Sequence, residues 1–248
     1  MIVIYILLGI FAVFLLYICF LAICSLFVDP KKEYTKNSRF YRVLLNSASA
    51  AALKFLRIRV HTSGLEKIPR DQKMLFVGNH RSNFDPIIQW VVLKQWDIAF
   101  LSKAENFEIP CFGRFIRKCC FLAIDREDPR KALTTIHKAT DLLQSGEVSI
   151  GVYPEGTRSK TGELLPFHDG VFRIAKKAGT PIVVMSIQGT EQIHKNVLRR
   201  HSDIYLDIVQ VISADEVKSG TTHTLGEAVR AALLKNLDKG ANECGGYP

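Results

Sequence analysis

Residues 75–86 have the sequence LFVGNHRSNFDP, in which a short apolar run ends in a polar loop and a helix follows. The apolar run at residues 74–77 predicts a buried strand, and the apolar spacing over residues 86–94 predicts a helix. A second stretch has the same form, because the apolar run at residues 148–152 ends in the loop YPEGTR at residues 153–158. Strands that alternate with helices are typical of an α/β fold.

The alternation continues along the chain and defines the predicted fold. Further strands are expected at residues 98–101, 121–124, 182–185 and 204–211, and further helices at residues 129–144, 171–178 and 225–237. We therefore predict an α/β domain with a central mixed β-sheet flanked by helices. Ligands of such folds bind in loops that follow the strands, so the loops after residues 77 and 152 are candidate sites.

The N-terminus has the pattern of a membrane anchor. Residues 1–28 contain no charged side chain, and a helix of that length spans about 42 Å, more than the roughly 30 Å hydrocarbon core of a bilayer. A cleaved signal peptide is the alternative, but this apolar stretch is long and no basic residue precedes it. The basic residues that follow are Lys31, Lys32, Lys36, Arg39 and Arg42. They predict a single-pass anchor in the cytoplasmic membrane, with the downstream domain on the cytoplasmic face.

Residues 29–58 are predicted to form a basic interfacial region between this anchor and an α/β domain at residues 59–248. From residue 37 to 58 apolar side chains mix with Arg39, Arg42, Lys54 and Arg57. This pattern favours a helix at the bilayer interface with its basic groups toward anionic headgroups. A helix packed on the domain explains the pattern equally well, and both arrangements can hold together.

Composition narrows the classes of partner and cofactor. The net charge of +9 over 248 residues predicts attraction to a polyanion such as an anionic bilayer, an acidic carrier or nucleic acid. Nucleic acid is disfavoured because the basic residues cluster beside the apolar segment and no recognition motif is present. The six cysteines form no CxxC pair, so we expect packed thiols and no metal site. Without a glycine-rich phosphate loop, no nucleotide cofactor is expected.

His80 and Asp85 form the first candidate constellation. A tight turn can fold the carboxylate back onto the imidazole, which fixes the tautomer and leaves the other ring nitrogen to take a proton from a hydroxyl. His80 is then a general base. The alternative is that His80 is a surface residue and that Asp85 caps the helix that begins near Pro86.

The loop YPEGTR is the second candidate site and suits an anionic ligand. Arg158 can bind phosphate oxygens with two donors, Thr157 can donate to them, and Gly156 lets backbone amides approach. Glu155 can orient a substrate hydroxyl or position Arg158. The alternative is a polar surface turn.

Together these loops resemble two blocks of the glycerophospholipid acyltransferase family, and within it the 1-acylglycerol-3-phosphate acyltransferases of bacterial type. NHRSNFD at residues 79–85 matches the block NHxSxxD, and YPEGTRS at residues 153–159 matches the block PEGTRS. A fourth block, an apolar segment with proline, is matched by residues 180–183. The second block is matched by Lys103, Glu105, Pro110, Gly113, Asp125 and Arg126. The resemblance covers about residues 60–215.

The resemblance implies acyl transfer from a thioester of acyl carrier protein or coenzyme A to the hydroxyl of lysophosphatidic acid. His80, held by Asp85, would activate the hydroxyl, and Lys103, Arg126 and Arg158 would bind the phosphate. The alternatives are acylation of glycerol-3-phosphate or another lysophospholipid, and a non-catalytic membrane lipid-binding protein. One departure is His168, which replaces the lysine of the family's FKxG segment. We expect it to be a surface turn residue.

Overall fold

Seven strands form one sheet in the computed structural model of the protein, which describes residues 1–197 and 200–243. They are β1 (Ile58–Ser63), β2 (Leu75–Gly78), β3 (Ile98–Ser102), β4 (Leu122–Ala123), β5 (Ser149–Val152), β6 (Ile182–Gln188) and β7 (Ser202–Ile212). The order across the sheet is β1-β7-β6-β2-β5-β3-β4. Neighbouring strands are parallel except β6 and β7, which are antiparallel. The predicted mixed sheet is confirmed.

The central strands are continuous apolar runs because both of their faces are covered. Every residue of β2 and β5 is buried, as are six of the seven residues of β6. Parallel strands packed between helices have this character, whereas strands with one wet face alternate polar and apolar residues. The loops after β2 and β5 therefore leave adjacent strands at the same edge of the sheet.

Nine α-helices accompany this sheet within the described ranges. They are α1 (Ile2–Leu26), α2 (Arg39–Phe55), α3 (Phe84–Val92), α4 (Phe112–Lys118), α5 (Pro129–Gln144), α6 (Arg173–Ala178), α7 (Ile193–Asn196), α8 (Ala214–Ser219) and α9 (Thr222–Glu243). Helix α2 packs against α3 and α4, and α5 packs against α6. The group of α2, α3 and α4 and the group of α5 and α6 lie beside different parts of the candidate site.

Local sequence signals placed the long elements within a few residues and missed the short ones. Helix α5 begins at the predicted residue because Asp128 accepts hydrogen bonds from the backbone amides of Arg130 and Lys131, with Pro129 in the first turn. Helices α4, α7 and α8 were not predicted, since each has seven residues or fewer and shows no clear period. Strand β1 was missed because most of its side chains are exposed.

Helix α1 is long and apolar enough to cross a membrane. Its most apolar window has a mean hydropathy of 3.0, and only 6% of that window is buried. Contacts with the domain are made by its last turns, where Leu21 and Cys24 are buried. The hydroxyl of Tyr41 in α2 donates to the carbonyl of Cys24 at 3.0 Å. The apolar helix is thus joined to α2 at its C-terminal end and exposed over the rest.

Helix α2 packs on the domain, and its Arg42 corrects one expectation. Arg42 is 5% exposed and donates to the carbonyls of Ile98 and Cys119 at 2.7 and 2.9 Å. The prediction that Arg42 faces headgroups was wrong, because its guanidinium is buried and donates to backbone carbonyls and to Oδ1 of Asn37. Phe40, Val43 and Phe55 of the same helix are exposed.

The cysteines described by the structure are all free thiols, and Cys244 lies outside the described residues. Burial raises the pKa of Cys119 to about 11 and that of Cys120 to about 12. Both thiols therefore stay protonated and inert at neutral pH.

Candidate functional site

His80 and Asp85 meet at the carboxyl end of β2. His80 lies two residues beyond the strand, and Asp85 lies in the first turn of α3. The Nδ1 atom of His80 is 2.8 Å from Oδ2 of Asp85. The turn between them brings the carboxylate back to the imidazole, as the spacing in the sequence predicted.

The carboxylate of Asp85 is fully buried and accepts further hydrogen bonds. The backbone amides of Arg81 and Ser82 donate to Oδ2 at 2.6 and 2.7 Å. The hydroxyl of Thr190 donates to Oδ1 at 2.6 Å. These donors hold the carboxylate in one orientation. Asp85 is therefore fixed in place beside His80, and it does not cap α3 from the preceding position.

Tyr153 covers one face of the imidazole. The rings of His80 and Tyr153 are stacked, with centroids 4.2 Å apart and 9° between their planes. The hydroxyl of Tyr153 donates to Oε1 of Gln89 at 2.5 Å, and Gln89 is fully buried in α3. Burial raises the pKa of Tyr153 well above its ordinary value, so the phenol remains a neutral donor. The position of Tyr153 in the block at residues 153–159 gave no signal of this contact with His80.

Glu155 connects the two loops through backbone hydrogen bonds. Its Oε1 accepts from the amide of His80 at 2.7 Å, and its Oε2 accepts from the amide of Leu165 at 2.9 Å. The side chain is 3% exposed, and burial raises its pKa while the two amide hydrogen bonds oppose that shift. Glu155 was predicted to orient a substrate hydroxyl or to position Arg158. Instead both oxygens are occupied by backbone donors.

Further contacts complete the connection between the loops. The amide of Ser159 donates to the carbonyl of His80 at 2.9 Å. Asn79 bonds both the amide and the carbonyl of Ile187 in β6, at 2.8 and 2.9 Å. Asn79 and Thr190 gave no sequence signal of these contacts, because their partners are more than 100 residues away.

One cavity of about 380 Å³ brings most of the predicted site residues together. We call it the His80 cavity. Its polar lining includes His80, Lys103, Arg126, Thr157 and Arg158. Its apolar lining includes Ile87, Trp90, Phe100, Ile109, Phe112 and Phe121. The site thus joins an imidazole paired with a buried carboxylate, a group of cations and an aromatic wall, whereas Glu155 and Gly156 do not line the cavity.

The three cations of the His80 cavity form no salt bridge. Within residues 1–197 and 200–243, the side chains of Lys103, Arg126 and Arg158 also form no hydrogen bond, and all three are exposed. Burial lowers the pKa of Arg126, and the charge of Glu105 opposes that shift. Cations that form no salt bridge can bind an anionic ligand. The arrangement suits an anion such as a phosphate monoester.

Gly156 occupies a backbone conformation that favours glycine. Its φ is +68°, and a Cβ at this position would lie 3.0 Å from Cδ2 of His168. His168 is exposed, as expected, and its amide donates to the carbonyl of Pro154 at 2.8 Å. The glycine therefore lets residues 153–158 turn closely against the segment at residues 167–168.

Comparison with known proteins identifies the family. The model of the acyltransferase family matches residues 59–188, which is more than half of the chain. The chain belongs to the acyltransferase family. The resemblance inferred from the sequence blocks is confirmed, and the matched range contains both loops of the His80 cavity.

Curated relatives within the acyltransferase family carry a consistent name. A 1-acyl-sn-glycerol-3-phosphate acyltransferase of Borreliella burgdorferi is 24% identical over 198 residues, covering 79% of this chain and 78% of the relative. A chloroplast 1-acyl-sn-glycerol-3-phosphate acyltransferase of Brassica napus is 37% identical over 131 residues, covering 52% of this chain. The chain spans less than half the length of that plant relative and of an Arabidopsis thaliana counterpart, at 37% and 40%.

A solved acyltransferase structure shares the fold. The crystal structure of the 1-acyl-sn-glycerophosphate acyltransferase of Thermotoga maritima matches with a TM-score of 0.71 and 23% identity. The match covers 94% of this chain and 90% of that one. The predicted architecture, a mixed sheet flanked by helices and preceded by an apolar helix, is therefore confirmed at the level of the fold.

Proposed function

We propose that this chain transfers a fatty acyl group from a thioester to the sn-2 hydroxyl of 1-acyl-glycerol-3-phosphate, which gives phosphatidic acid. The observation that carries the proposal is the composition of the His80 cavity. An imidazole paired with a buried carboxylate lines the same space as an aromatic wall and three cations that form no salt bridge within the described residues. The names of the relatives support the same reaction.

In the proposed mechanism His80 is the general base. Its Nδ1 is bonded to Asp85, so Nε2 accepts the proton of the glycerol hydroxyl as the oxygen attacks the thioester carbonyl. The carbon–sulfur bond of the tetrahedral intermediate then breaks, and the imidazolium returns its proton to the departing thiolate. Asp85 stabilises the imidazolium between these steps, which restores His80 for the next cycle.

Direct transfer is favoured over a covalent acyl-enzyme. The nearest hydroxyl in the loop is that of Ser82, and this oxygen accepts a hydrogen bond from the amide of Phe84 at 3.3 Å. Ser82 does not line the His80 cavity. A nucleophile needs its own hydrogen bond to the base, and here the base presents its free nitrogen to the cavity instead.

Lys103, Arg126 and Arg158 bind the phosphate of the acceptor in this proposal, with Thr157 as a further donor. The aromatic wall of Trp90, Phe100 and Phe121 packs against hydrocarbon of the lipid. The donor is acyl carrier protein or coenzyme A, both of which are acidic and attracted to a chain of net charge +9.

We propose that α1 anchors the chain in the cytoplasmic membrane with the domain on the cytoplasmic face. The basic residues that follow α1 support this orientation, and the exposed Phe40, Val43 and Phe55 of α2 place apolar groups beside the anchor. In sealed inside-out vesicles, protease should cleave the domain, whereas in right-side-out vesicles it should be protected.

The experiment that tests the reaction offers purified protein labelled acyl thioesters with three acceptors: lysophosphatidic acid, glycerol-3-phosphate and lysophosphatidylcholine. We expect phosphatidic acid as the main product. A preference for either other acceptor would replace the proposed substrate with that alternative. Binding of lipid without any transfer would favour the non-catalytic lipid-binding protein.

Two variants with matched controls test the roles of the residues. His80→Ala should abolish transfer, whereas His61→Ala should not, although His61 is also paired with an aspartate at 2.9 Å. Arg158→Gln should raise the KM of the acceptor more than that of the donor, and the exposed neighbour Lys160→Gln should change neither. Retained transfer by His80→Ala would refute the proposed base.

A further inference from the structure

A second cleft opens beside the His80 cavity and has no assigned ligand. It measures about 700 Å³ and lies between α5 and the segment at residues 167–173. Leu133 and Ile136 of α5 form one wall, and Phe167 contributes to the other. We call it the α5 cleft. Leu133 is 38% exposed, which leaves apolar surface open to a ligand.

The α5 cleft and the His80 cavity meet at the carboxyl edge of the sheet. Leu101, Arg126 and Tyr153 line both spaces. The His80 cavity extends from this junction toward side chains of α3 and α4, whereas the α5 cleft extends toward α5 and the start of α6. A ligand in the α5 cleft can therefore reach the junction without displacing a ligand from the His80 cavity.

The charges of the α5 cleft suit an elongated ligand with an anionic end. Arg126 lies at the junction, and Arg173 lies only in the α5 cleft. In the part of the chain that the structure describes, neither guanidinium forms an ion pair. Asp169 also lines the cleft, but His223 binds its carboxylate at 3.0 Å. The apolar wall between the two arginines suits a chain with few charges of its own.

Acyl transfer needs two substrates that approach the same base. At about 380 Å³ the His80 cavity is near the lower limit of pockets that hold one ligand of drug size, roughly 300–1,000 Å³. The phosphate and hydroxyl of the acceptor occupy it in the proposed function. The thioester therefore needs a second space. Another cleft of about 680 Å³ shares Lys103, Arg126 and Thr157 with the His80 cavity, but the carboxylates of Glu105, Asp125 and Glu127 line it and would repel an anionic donor. The α5 cleft instead shares Tyr153, which stacks on His80, and has an apolar wall.

We propose that the α5 cleft binds the phosphopantetheine arm of the acyl donor, an inference that rests on the proposed function. The phosphate of the arm lies at Arg173, the uncharged middle of the arm packs on Leu133 and Ile136 through its gem-dimethyl and methylene groups, and the thioester reaches the junction at Arg126. Coenzyme A and acyl carrier protein both carry this arm. The cleft therefore recognises the part that the two donors share.

Two variants separate this site from the His80 cavity. Leu133→Glu places a charge against the arm and should raise the KM of acyl-CoA and acyl carrier protein thioesters about tenfold, with the acceptor KM unchanged. Its control is Leu234→Glu, because Leu234 is equally exposed at 39% in α9. Arg173→Gln should raise the KM of both phosphate-bearing donors by a similar factor but leave that of S-acyl pantetheine, which lacks the phosphate, unchanged. Arg130→Gln is its control.

The outcomes are distinguishable from a failure of the proposed function. A rise in the KM of every thioester donor that the enzyme uses supports the cleft, whereas a rise for one accepted donor with the other unchanged overturns recognition of the shared arm. A rise in the acceptor KM with constant donor KM overturns the proposal and assigns the cleft to the acceptor. Unchanged constants in both variants also overturn it, while activity that still depends on His80 would leave the proposed function intact. Thermal unfolding midpoints of all variants check that each folds.

Discussion

The ring of Tyr153 lies flat against the imidazole of His80, with 4.2 Å between centroids and 9° between planes. The negative face of an aromatic ring attracts a cation placed over it, so in the proposed mechanism this contact would stabilise the positive charge that develops on His80 during proton transfer. The hydroxyl of Tyr153 is anchored on Gln89 of α3. The loop that carries Tyr153, the imidazole of His80 and helix α3 are thus held in one arrangement.

Replacement of Tyr153 should separate the effect of the ring from that of the hydroxyl. Tyr153→Leu removes the stacking, worth about 0.5–1.5 kcal/mol, so kcat should fall about two- to tenfold. Tyr153→Phe keeps the ring but leaves Oε1 of buried Gln89 without a donor, which should lower the free energy of unfolding by about 1–3 kcal/mol. Steady-state kinetics and denaturant unfolding measure the two effects. Equal kcat values for Tyr153→Leu and the unmodified protein would contradict the role of the ring.

Asp85 is predicted to act through its charge and its orientation. Asp85→Asn replaces an acceptor with an amide group that cannot accept from all the donors at Oδ2, so kcat should fall at least about 100-fold. Thr190→Val removes the donor to Oδ1 and should cost about 1.5–3 kcal/mol of stability. Thr134→Val at the surface is the control. If Thr190→Val and Thr134→Val have the same free energy of unfolding within error, the hydroxyl of Thr190 does not support the carboxylate of Asp85.

Gly156 can be compared with a glycine of the same conformation. Gly156 and Gly179 both have a φ of +68°, but a Cβ at Gly179 meets nothing within 4 Å. Both alanine variants should lose about 1 kcal/mol from backbone strain. Gly156→Ala should lose more, because its Cβ presses on His168, and should also lower activity. The double variant Gly156→Ala/His168→Ala should recover only the stability lost to the contact with His168 and not the part lost to backbone strain. Unfolding and transfer assays measure the two effects.

Stability should depend on pH through His223. The hydrogen bond that His223 donates to the carboxylate of Asp169, together with the charge of Glu227, raises the pKa of His223. The contribution of His223 to the free energy of unfolding is therefore fully present below its pKa in the unfolded chain, about 6.5. This contribution is lost as pH rises through the higher pKa of the folded state. His223→Gln should lower the unfolding midpoint at pH 5.5 more than at pH 9. His194→Gln, an exposed control, should show no such difference.

Arg42 is predicted to stabilise the fold, whereas Arg39 remains available to headgroups. Arg42→Met leaves the carbonyls of Ile98 and Cys119 without their donor and should cost about 3–5 kcal/mol. Arg39→Met, at an exposed position, should change stability by less than about 0.5 kcal/mol and reduce salt-sensitive binding to anionic vesicles. Loss of vesicle binding by Arg42→Met without loss of stability would reverse this assignment.

Much of the fold and part of the site followed from short-range patterns. Apolar runs of four to five residues marked the buried strands, and Asp128 with Pro129 marked the start of α5. His80 and Asp85 lie close in sequence, so their pairing needed only the turn between them. Lys103, Arg126 and Arg158 were assigned to one phosphate site only through the resemblance to the family's blocks, and in the structure all three line the His80 cavity.

The tertiary structure decided the contacts between residues that lie far apart in the chain. Glu155 holds the amide of His80 across 75 residues, and Thr190 holds Asp85 across 105. These contacts exist because β2 lies between β5 and β6, and no local periodicity encodes that order. The sequence by itself determined which groups could act as base, anion and cations. Packing of the strands decided which of them support the site and which face the cavity, because orientation depends on neighbours that only the folded sheet brings together.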